Sequence, residues 1–328
     1  MSIRWGILGC GDIARKRVAQ ACSDAAGSEL LAAWRRDGAK RARFCQDFGV
    51  ERSYADETEL IADADLDAVY IATPPHLHRQ QTLAAAAVGK HVLVEKPMAL
   101  STAECDEMTA ACRRAGVKLG VAYYRRFYPI VRRMKEIIAD GSIGKILSVG
   151  AVTSTPFAIR PGEDGYYRAR WAEGGGGALM DVGSHRLNLL LDMLGPIERV
   201  KAHCDTLVGD YETDDCATLA FRFAAGMHGT LQCYFGTTPD LDVFKMIGTR
   251  GHVTADPLNG SELVIQRGEE RHVESHPREE NTHLPLVADF VAAVRDDRDP
   301  LVTGEEGRAA NDVMERAYGD AGLDATPR

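Results

Sequence analysis

The sequence predicts an α/β protein of two domains: an N-terminal domain built on a doubly wound parallel sheet, and a C-terminal α+β domain with a largely antiparallel open sheet. Two observations predict the first domain. Strands and helices alternate with short connections over residues 1–122, and a glycine-rich turn joins the first strand to the first helix. A third observation predicts the second domain, residues 123–328, because strand-like segments follow one another from residue 197. A chain of 328 residues is typical of about two domains.

Composition and charge exclude several classes of function. The formal net charge of −9 argues against a nucleic-acid-binding protein and against an anionic membrane surface as partner. No apolar run approaches the roughly 18 residues of a membrane span, and no signal peptide is evident. The eight cysteines are scattered without a C-x-x-C pair, which is typical of reduced thiols. We therefore expect a cytoplasmic protein.

The glycine-rich turn follows the first predicted strand, Ile3–Leu8, and opens a helix over residues 12–25. Gly9, Gly11 and Ala14 form the pattern G-x-G-x-x-A. In this pattern the first glycine permits a tight turn, the second lets a pyrophosphate approach the backbone, and the small third residue allows close packing of helix and strand. The helix N-terminus adds N–H groups for the phosphates. The predicted dinucleotide contacts are Gly9, Gly11, Asp12 and Ile13. A merely tight strand–helix turn is the alternative.

The end of the second predicted strand, residues 29–34, bears on the choice of cofactor. A carboxylate at this point favours NAD, whereas an arginine accommodates the 2′-phosphate of NADP. Arg35 and Arg36 occupy the position, and the nearest acid, Asp37, lies two residues beyond Arg35. We predict that both arginines bind the cofactor and that NADP(H) is favoured over NAD(H). Alternatively, they begin the solvated helix Gly38–Phe48, or Arg36 stacks on the adenine.

The next two buried strands of the first domain both end in residues that suit a ligand. Residues 67–72 are followed by a predicted loop that contains two prolines, His76 and His78. Residues 91–94 end in Glu95, Lys96 and a proline. Ligands in open α/β sheets bind just outside the carboxyl ends of the strands, which places Lys96 at the ligand-binding edge. The alternatives are ordinary loop and helix-cap roles for the histidines, and a weak surface ion pair for Lys96.

The other predicted elements of the first domain complete the alternation. Small helices and strands are expected over residues 50–54, 58–62, 79–88, 102–115 and 117–122, with Ser101 in a capping box before the fourth of these.

The second domain begins with a helix over residues 129–140, a strand over 145–153 and a loop over 156–171. The loop contains Tyr167, Arg168 and Trp171. Aromatic rings and arginines suit a polar, ring-shaped substrate through stacking and hydrogen bonding. The same residue types are also favoured at interfaces between subunits, so an oligomer contact is the alternative.

A run of four glycines, residues 174–177, precedes a helix that carries Asp181 and His185. Residues four apart project from one face of a helix. A carboxylate beside an imidazole suits acid–base chemistry, because histidine titrates near neutral pH. Two alternatives compete with a catalytic pair: an ion pair that only stabilises the helix, and a metal site, which lacks an evident third ligand nearby.

Strands over residues 198–206, 215–223, 227–235 and 242–248 predict the antiparallel sheet, with further strands to residue 274 and helices over 284–296 and 305–318. A broad sheet face left uncovered suits a homodimer or homotetramer formed through the C-terminal sheet. The tail from Leu323 is expected to be loose.

With these segments in this order, the chain resembles the Gfo/Idh/MocA-like oxidoreductases, the group of glucose–fructose oxidoreductase and inositol dehydrogenase. The resemblance covers nearly the whole chain. It rests on residues 9–14, Thr73-Pro74-Pro75 with His78, Glu95-Lys96-Pro97, Tyr124-Arg125-Arg126-Phe127, and Gly177 with Asp181 and His185.

The resemblance implies a nicotinamide-dependent oxidation of a sugar, sugar-derivative or cyclitol hydroxyl, or the reverse reduction of a ketone. It implies that the catalytic residues are Lys96, Asp181 and His185. Further cofactor contacts are expected at Thr73, Pro74, His78, Glu95, Lys96 and Arg125. Further substrate contacts are expected at Lys96, Tyr124, Tyr167, Arg168, Trp171, Asp181 and His185.

The expected mechanism assigns the proton transfer to His185 and a hydrogen bond to the developing alkoxide to Lys96. Asp181 would hold the substrate or polarise His185. An exchange of roles, with Lys96 as the base, stays open because the pKa of a lysine changes readily in a dry site. Some members of the group share the architecture without sugar chemistry. A cofactor-sensing binding or regulatory protein is therefore the alternative function.

Overall fold

The computed structural model of the protein describes residues 2–323, so the predicted loose tail lies almost entirely outside the described residues. The chain forms two compact units. The first contains the chain up to Tyr124 and the segment Glu279–Arg308. The second contains Arg125–Arg278 and the chain from Ala309.

The first unit contains a six-stranded sheet in the order β3-β2-β1-β4-β5-β6, and every adjacent pair is parallel. The strands are β1 (Ile3–Leu8), β2 (Ser28–Trp34), β3 (Arg52–Tyr54), β4 (Ala68–Ile71), β5 (His91–Val94) and β6 (Leu119–Val121). The order reverses beside β1, which is where ligands bind in such sheets. The predicted doubly wound parallel sheet is confirmed.

Both units contain helices. In chain order they are α1 (Ala19–Asp24), α2 (Gly38–Phe48), α3 (Glu57–Ala62), α4 (Pro75–Ala87), α5 (Thr102–Ala115), α6 (Pro129–Ala139), α7 (Trp171–Gly174), α8 (Ser184–Leu194), α9 (Leu284–Arg295) and α10 (Gly304–Asp320). Two of them continue from wider, π-helical turns: Ala14–Val18 leads into α1, and Leu179–Gly183 leads into α8.

The helix ends follow from local side-chain chemistry. The carboxylate of Asp37 and the hydroxyl of Ser101 each accept a backbone N–H at the start of α2 and α5. Left-handed glycines, Gly49 and Gly116, end the same two helices. One prediction was wrong here: the loop expected through residue 78 is already helix α4 from Pro75, because proline suits the first turn of a helix.

The segment Glu279–Arg308 differs from the predicted domain division, which assigned it to the second domain. Its helix α9 packs on the parallel sheet, with the ring of Phe290 5.4 Å from the ring of Trp5. Gly120 on β6 leaves room for Phe290, since a Cβ there would lie 2.9 Å from the phenyl ring. Phe290 is 1% exposed, and burial of such a side chain contributes about 1.5–3 kcal/mol. Apolar burial therefore returns the chain to the first unit.

The second unit contains an eight-stranded sheet in the order β14-β13-β12-β11-β7-β10-β9-β8. The strands are β7 (Ile146–Thr155), β8 (Ile197–Asp205), β9 (Cys216–Phe223), β10 (His228–Phe235), β11 (Asp242–Gly248), β12 (His252–Ala255), β13 (Glu262–Arg267) and β14 (Glu270–Ser275). Every pair is antiparallel except β7 with β10. The predicted largely antiparallel open sheet is confirmed.

The sheet of the second unit buries one face against the helix with the predicted catalytic pair. Burial alternates along β10, with every second side chain inside. Gly183 lets the helix approach this strand, since a Cβ on it would lie 2.7 Å from Cys233 Sγ. Close packing of backbone on sheet thus fixes the position of the turn Leu179–Gly183.

Among the described residues, no helix is both long and apolar enough to cross a membrane. None of the eight cysteines forms a disulfide, and six of them are buried.

Candidate active site

The glycine-rich turn lies at the carboxyl end of β1, against the end of β4. Gly9 has a positive φ of 96°, and a Cβ on it would lie 2.7 Å from the carbonyl group of Ala72 and 2.8 Å from the Thr73 nitrogen. Only glycine fits this position. Gly9 therefore brings the predicted cofactor turn into contact with the start of the β4–α4 connection.

Gly11 differs from Gly9, because its Cβ position is open. The nearest atom, Arg35 Nη1, would lie 4.0 Å away. The protein does not itself require glycine at Gly11, so the open space lets a ligand group such as a pyrophosphate approach the protein backbone closely. Ala14 in the following turn is fully buried. Asp12 and Ile13 begin the helix, and Asp12 forms an exposed ion pair with Lys16 at 2.9 Å.

Arg35 lies over the same turn. Its Nη1 donates a hydrogen bond to the Cys10 carbonyl at 2.7 Å, and Arg41 Nη1 donates to the Arg35 carbonyl at 2.7 Å. The carboxylate of Asp37 accepts the Lys40 N–H at 3.0 Å, and this hydrogen bond lowers the pKa of Asp37. The nearest acid is thus occupied as a helix cap, while the side chain of Arg36 is exposed.

The β4–α4 connection places Thr73 and Pro74 beside the glycine turn, but it buries His78. The Thr73 hydroxyl donates to Gln81 Oε1 at 2.6 Å, and Pro74 caps α4. His78 is fully buried; its Nε2 lies 2.8 Å from the Thr73 carbonyl oxygen and its Nδ1 3.1 Å from that of Pro97. The ring therefore ties the connections after β4 and β5 together, and its predicted contact with the cofactor stays a prediction.

Glu95 is also buried, at 7% exposure, and other groups of the protein bind its carboxylate. It accepts hydrogen bonds from the Tyr70 hydroxyl at 2.8 Å and from the Lys96 N–H at 3.2 Å, and it lies 3.3 Å from His283 Nε2. Burial alone would raise the pKa of Glu95, but His283, Lys96 and Tyr70 together outweigh burial and lower it. Lys96 itself is half-buried at the carboxyl end of β5, and the Lys96–Pro97 peptide bond is cis.

His283 is a residue that sequence reasoning missed. It precedes α9, is 1% exposed, and its ring lies 4.6 Å from the ring of Tyr124, a predicted substrate contact. The sequence signal was a lone histidine in the segment before an amphipathic helix, 188 residues from its partner Glu95. Arg125, a predicted cofactor contact, belongs to the second unit and donates to Asn259 Oδ1 at 3.0 Å.

In the second unit, Arg168 connects the segment 156–171, called here the aromatic loop, to the helix with the predicted catalytic pair. Its Nε lies 3.0 Å from Asp181 Oδ2, and its guanidinium stacks over the Tyr167 ring at 4.7 Å. Asp181 lies in the π-helical turn with 17% of its side chain exposed. His185 follows in α8 and is 5% exposed. Three predicted substrate residues, Tyr167, Arg168 and Asp181, thus form one cluster, and the fourth, His185, follows Asp181 in the chain.

The glycine run before Asp181 is packed against the protein. A Cβ on Gly177 would lie 1.8 Å from the Asp214 carbonyl oxygen. The Asp214 carboxylate accepts the N–H groups of Gly177 and Leu179 at 2.8 and 2.9 Å, and the Tyr318 hydroxyl at 2.7 Å. Burial raises the pKa of this carboxyl group. Asp214, which the sequence reasoning missed, therefore anchors the N-terminus of the helix with the predicted catalytic pair.

Trp171 lies at the edge of this anchor. Its indole N–H donates to the Glu212 carbonyl at 2.7 Å, and its ring meets the Tyr318 ring edge-on at 5.1 Å. The residue after His185, Arg186, is buried and pairs with Asp242. The contacts of Trp171 and Arg186 hold the chain in place before Asp181 and after His185.

Within residues 2–323, no group of three or more His, Cys, Asp or Glu side chains is arranged to hold a metal ion. The open cradle at Gly11, with the helix N-terminus behind it, fits the pyrophosphate of a dinucleotide.

Comparison with known proteins places this geometry in a family. Residues 3–123 match the family described as "Oxidoreductase family, NAD-binding Rossmann fold", and residues 131–254 match the Gfo/Idh/MocA C-terminal domain. The chain is 32% identical to 1,5-anhydro-D-fructose reductase of Ensifer adhaerens over 93% of this chain and 92% of that protein. It is 29% identical to D-xylose 1-dehydrogenase (NADP(+)) 2 of Haloferax volcanii over 97% of each chain.

A solved structure shows the same fold over the whole length. The aldose–aldose oxidoreductase of Caulobacter crescentus, in complex with glycerol, superposes with a TM-score of 0.88 at 29% identity, over 98% of each chain. The predicted resemblance is thereby confirmed. The chain belongs to the Gfo/Idh/MocA family of NAD-binding oxidoreductases.

Proposed function

We propose that the protein transfers hydride between a nicotinamide cofactor and a hydroxyl or ketone of a sugar, sugar derivative or cyclitol. One observation carries the proposal: half-buried Lys96, at the carboxyl end of β5, shares the ligand-binding edge of the parallel sheet with the open turn at Gly11. Sugar reductases and dehydrogenases among the relatives support the substrate class.

The roles of the catalytic residues follow from their chemistry. The cofactor, when bound, accepts or supplies the hydride. His185 takes the proton of the reacting hydroxyl in oxidation and returns it in reduction. Lys96 donates a hydrogen bond and positive charge to the developing alkoxide. Asp181, held by Arg168, orients a substrate hydroxyl. Tyr124, Tyr167 and Trp171 supply the surrounding contacts.

The test is turnover at the absorbance band of reduced nicotinamide, with a panel of aldoses, ketoses and cyclitols. Lys96→Ala and His185→Ala should each lower kcat by about 10²–10⁴-fold, and His185→Ala should leave cofactor affinity intact. Lys201→Ala and His252→Ala, on the strands β8 and β12, are matched controls and should retain activity. Wild-type rates in both catalytic variants would show that the assignment is wrong.

We further propose that NADP(H) is preferred. Arg35, bonded to the Cys10 carbonyl beside the cofactor turn, lies where a 2′-phosphate is expected, and Asp37 is occupied as a helix cap. Binding of NADP⁺ and NAD⁺ to wild type and to Arg35→Asp tests this. NADP⁺ should bind wild type at least about tenfold more tightly, a difference of about 1.4 kcal/mol, and the variant should lose that preference. Equal affinities of wild type for both would contradict the proposal.

Two properties of the whole molecule complete the proposal. The second sheet exposes Leu147 on β7 and Ile247 on the adjacent strand β11, at 49% and 42%. Such apolar exposure supports a homodimer or homotetramer formed through this sheet. The absence of disulfides among the eight cysteines supports a cytoplasmic location.

A further inference from the structure

We infer that His283 is a positioning residue for the proposed hydride transfer, acting on Lys96 through Glu95 and on the substrate through Tyr124. The inference rests on the proposed function, in which Lys96 is catalytic. All four residues belong to the first unit.

The edge of the His283 ring contacts the carboxylate that precedes Lys96. His283 Nε2 lies 3.3 Å from Glu95 Oε1, and the other carboxylate oxygen, Oε2, accepts the Lys96 N–H at 3.2 Å. Tyr70 on β4 supplies a second donor to Oε1. With its two donors to Oε1, the carboxylate is held in one orientation, and its Oε2 is directed to the Lys96 backbone. Loss of the imidazole leaves a buried carboxylate with one donor fewer, and such a group reorients or draws in water.

The face of the ring contacts a second predicted site residue. The Tyr124 ring packs on it at 4.6 Å between centroids, with an angle of 33° between the planes. Tyr124 follows β6, the strand beside β5, so its position is tied to the same edge of the sheet as Lys96. One imidazole thus supports two neighbouring strand ends.

Hydrogen bonds within the first unit hold His283 in place. Its N–H donates to Asn281 Oδ1 at 3.1 Å, and the Asn281 side-chain amide donates to the Arg17 carbonyl at 2.9 Å. Arg17 lies in the π-helical turn that follows the cofactor loop. Arg17 also donates from its guanidinium to the Glu280 carbonyl at 2.8 Å. A continuous series of contacts therefore runs from the cofactor helix through His283 to Lys96.

Three substitutions separate the two functions of the ring. His283→Gln retains a side-chain N–H for Glu95 and loses the aromatic face. His283→Phe retains the face and loses the donor, and His283→Ala loses both. We expect His283→Phe to lower kcat by about 10- to 100-fold with little change in KM, because a small displacement of Lys96 is enough to cost that much. We expect His283→Gln to restore most of kcat and to raise KM through Tyr124.

The control addresses loss of stability. Phe290→Leu, in the helix α9 that follows His283, removes buried volume next to Trp5 and should lower the melting temperature without changing kcat or KM of the folded protein. The double variant His283→Phe/Lys96→Ala supplies a second readout. If His283 acts through Lys96, the double variant should have the kcat of Lys96→Ala alone.

The outcomes distinguish a failure of this inference from a failure of the proposed function. A wild-type protein without turnover on the sugar and cyclitol panel overturns the proposed function, and with it a role for His283 in the reaction. Wild-type turnover, together with kcat and KM unchanged in all three His283 variants, overturns the inference alone. Fully additive losses in the double variant overturn the route through Lys96.

Discussion

The guanidinium Nε of Arg168 lies 3.0 Å from the carboxylate Oδ2 of Asp181. The two side chains come from different elements, the aromatic loop and the π-helical turn, so the ion pair joins two segments that were each expected to contact substrate. About one-sixth of the Asp181 side chain stays exposed, at 17%, which leaves it accessible to a ligand hydroxyl. The pair thus positions Asp181 and leaves part of it available.

Replacement of Arg168 is expected to weaken substrate binding. In Arg168→Lys the charge remains, but the planar fork and the stacking on Tyr167 are lost. We expect KM for the sugar to rise about tenfold, in line with about 1.4 kcal/mol of lost orientation, while the dissociation constant of the cofactor stays constant. Arg170→Lys, in the exposed pair with Glu173, is the matched control. Equal KM values in the two variants would contradict this role.

Removal of the Asp214 carboxylate is expected to destabilise the second unit. Asp214→Ala leaves the N–H groups of Gly177 and Leu179 without their acceptor in a buried environment. Each such group costs about 1–3 kcal/mol, so the free energy of unfolding should fall by at least about 2 kcal/mol. Tyr318→Phe removes one hydrogen bond to the same carboxylate and should cost about 1 kcal/mol. Urea denaturation measures both, and a smaller loss in Asp214→Ala than in Tyr318→Phe would refute the anchor.

Alanine at the two glycines of the cofactor turn should separate folding from binding. Gly11→Ala meets no protein atom closer than 4.0 Å, so its melting temperature should stay near that of wild type while cofactor affinity falls about tenfold or more. Gly9→Ala places a Cβ at positive φ against Ala72 and should lower the free energy of unfolding by at least about 1–2 kcal/mol. Calorimetric titration with the cofactor and thermal melts give both quantities. Unchanged affinity in Gly11→Ala would argue against a pyrophosphate at this turn.

His78 should make the first unit sensitive to mild acid. Burial lowers the pKa of His78, and the carbonyls of Thr73, Met98 and Pro97 only partly offset this. As the pH falls below about 6.5, the unfolded chain takes up this proton before the folded one, so acidification favours unfolding until the lowered pKa is passed. Melting temperatures of wild type and His78→Gln at pH 7.5 and at successively lower pH check this, since the variant should show a smaller decrease. An identical decrease in both proteins would exclude His78 as a source.

A charge on the exposed sheet should separate subunits. Ile247→Lys places an ammonium group on the strand adjacent to that of exposed Leu147, and it should convert the proposed oligomer to monomers in sedimentation velocity. Val88→Lys, an exposed apolar position in the first unit at 51%, is the control and should leave the sedimentation coefficient unchanged. An oligomer that persists in Ile247→Lys would exclude this part of the sheet as the interface.

The parts of the fold predicted from sequence were those set by neighbours in the chain. Asp37 and Ser101 lie next to the helices they cap, and Gly9 makes its turn within a few residues of β1. The strands of both sheets follow from short apolar or alternating runs for the same reason. The two prolines and two histidines after β4 were a local signal too. Together they predicted a ligand-facing loop, whereas Pro75 begins α4.

The parts not predicted depend on contacts between distant segments. Asp214 lies 37 residues from Gly177, and His283 lies 188 residues from Glu95. No periodicity or spacing encodes such pairs, because each forms only when separate strands and helices pack. The return of α9 to the parallel sheet has the same origin: its amphipathic pattern predicts a buried face but does not say which sheet covers it.

The chain order of the two units has a consequence for exchanging parts between relatives. Because α9 packs with β1 and β6, the polypeptide leaves the nucleotide-binding unit after Tyr124 and rejoins it at Glu279. A chimaera with a single crossover near residue 122 would join the α9 of one parent to the Trp5 surface of the other. A transplanted second unit should instead be spliced in two pieces, residues 125–278 and the chain from Ala309 that carries Tyr318. The recipient then keeps its own α9 and, with it, its own His283.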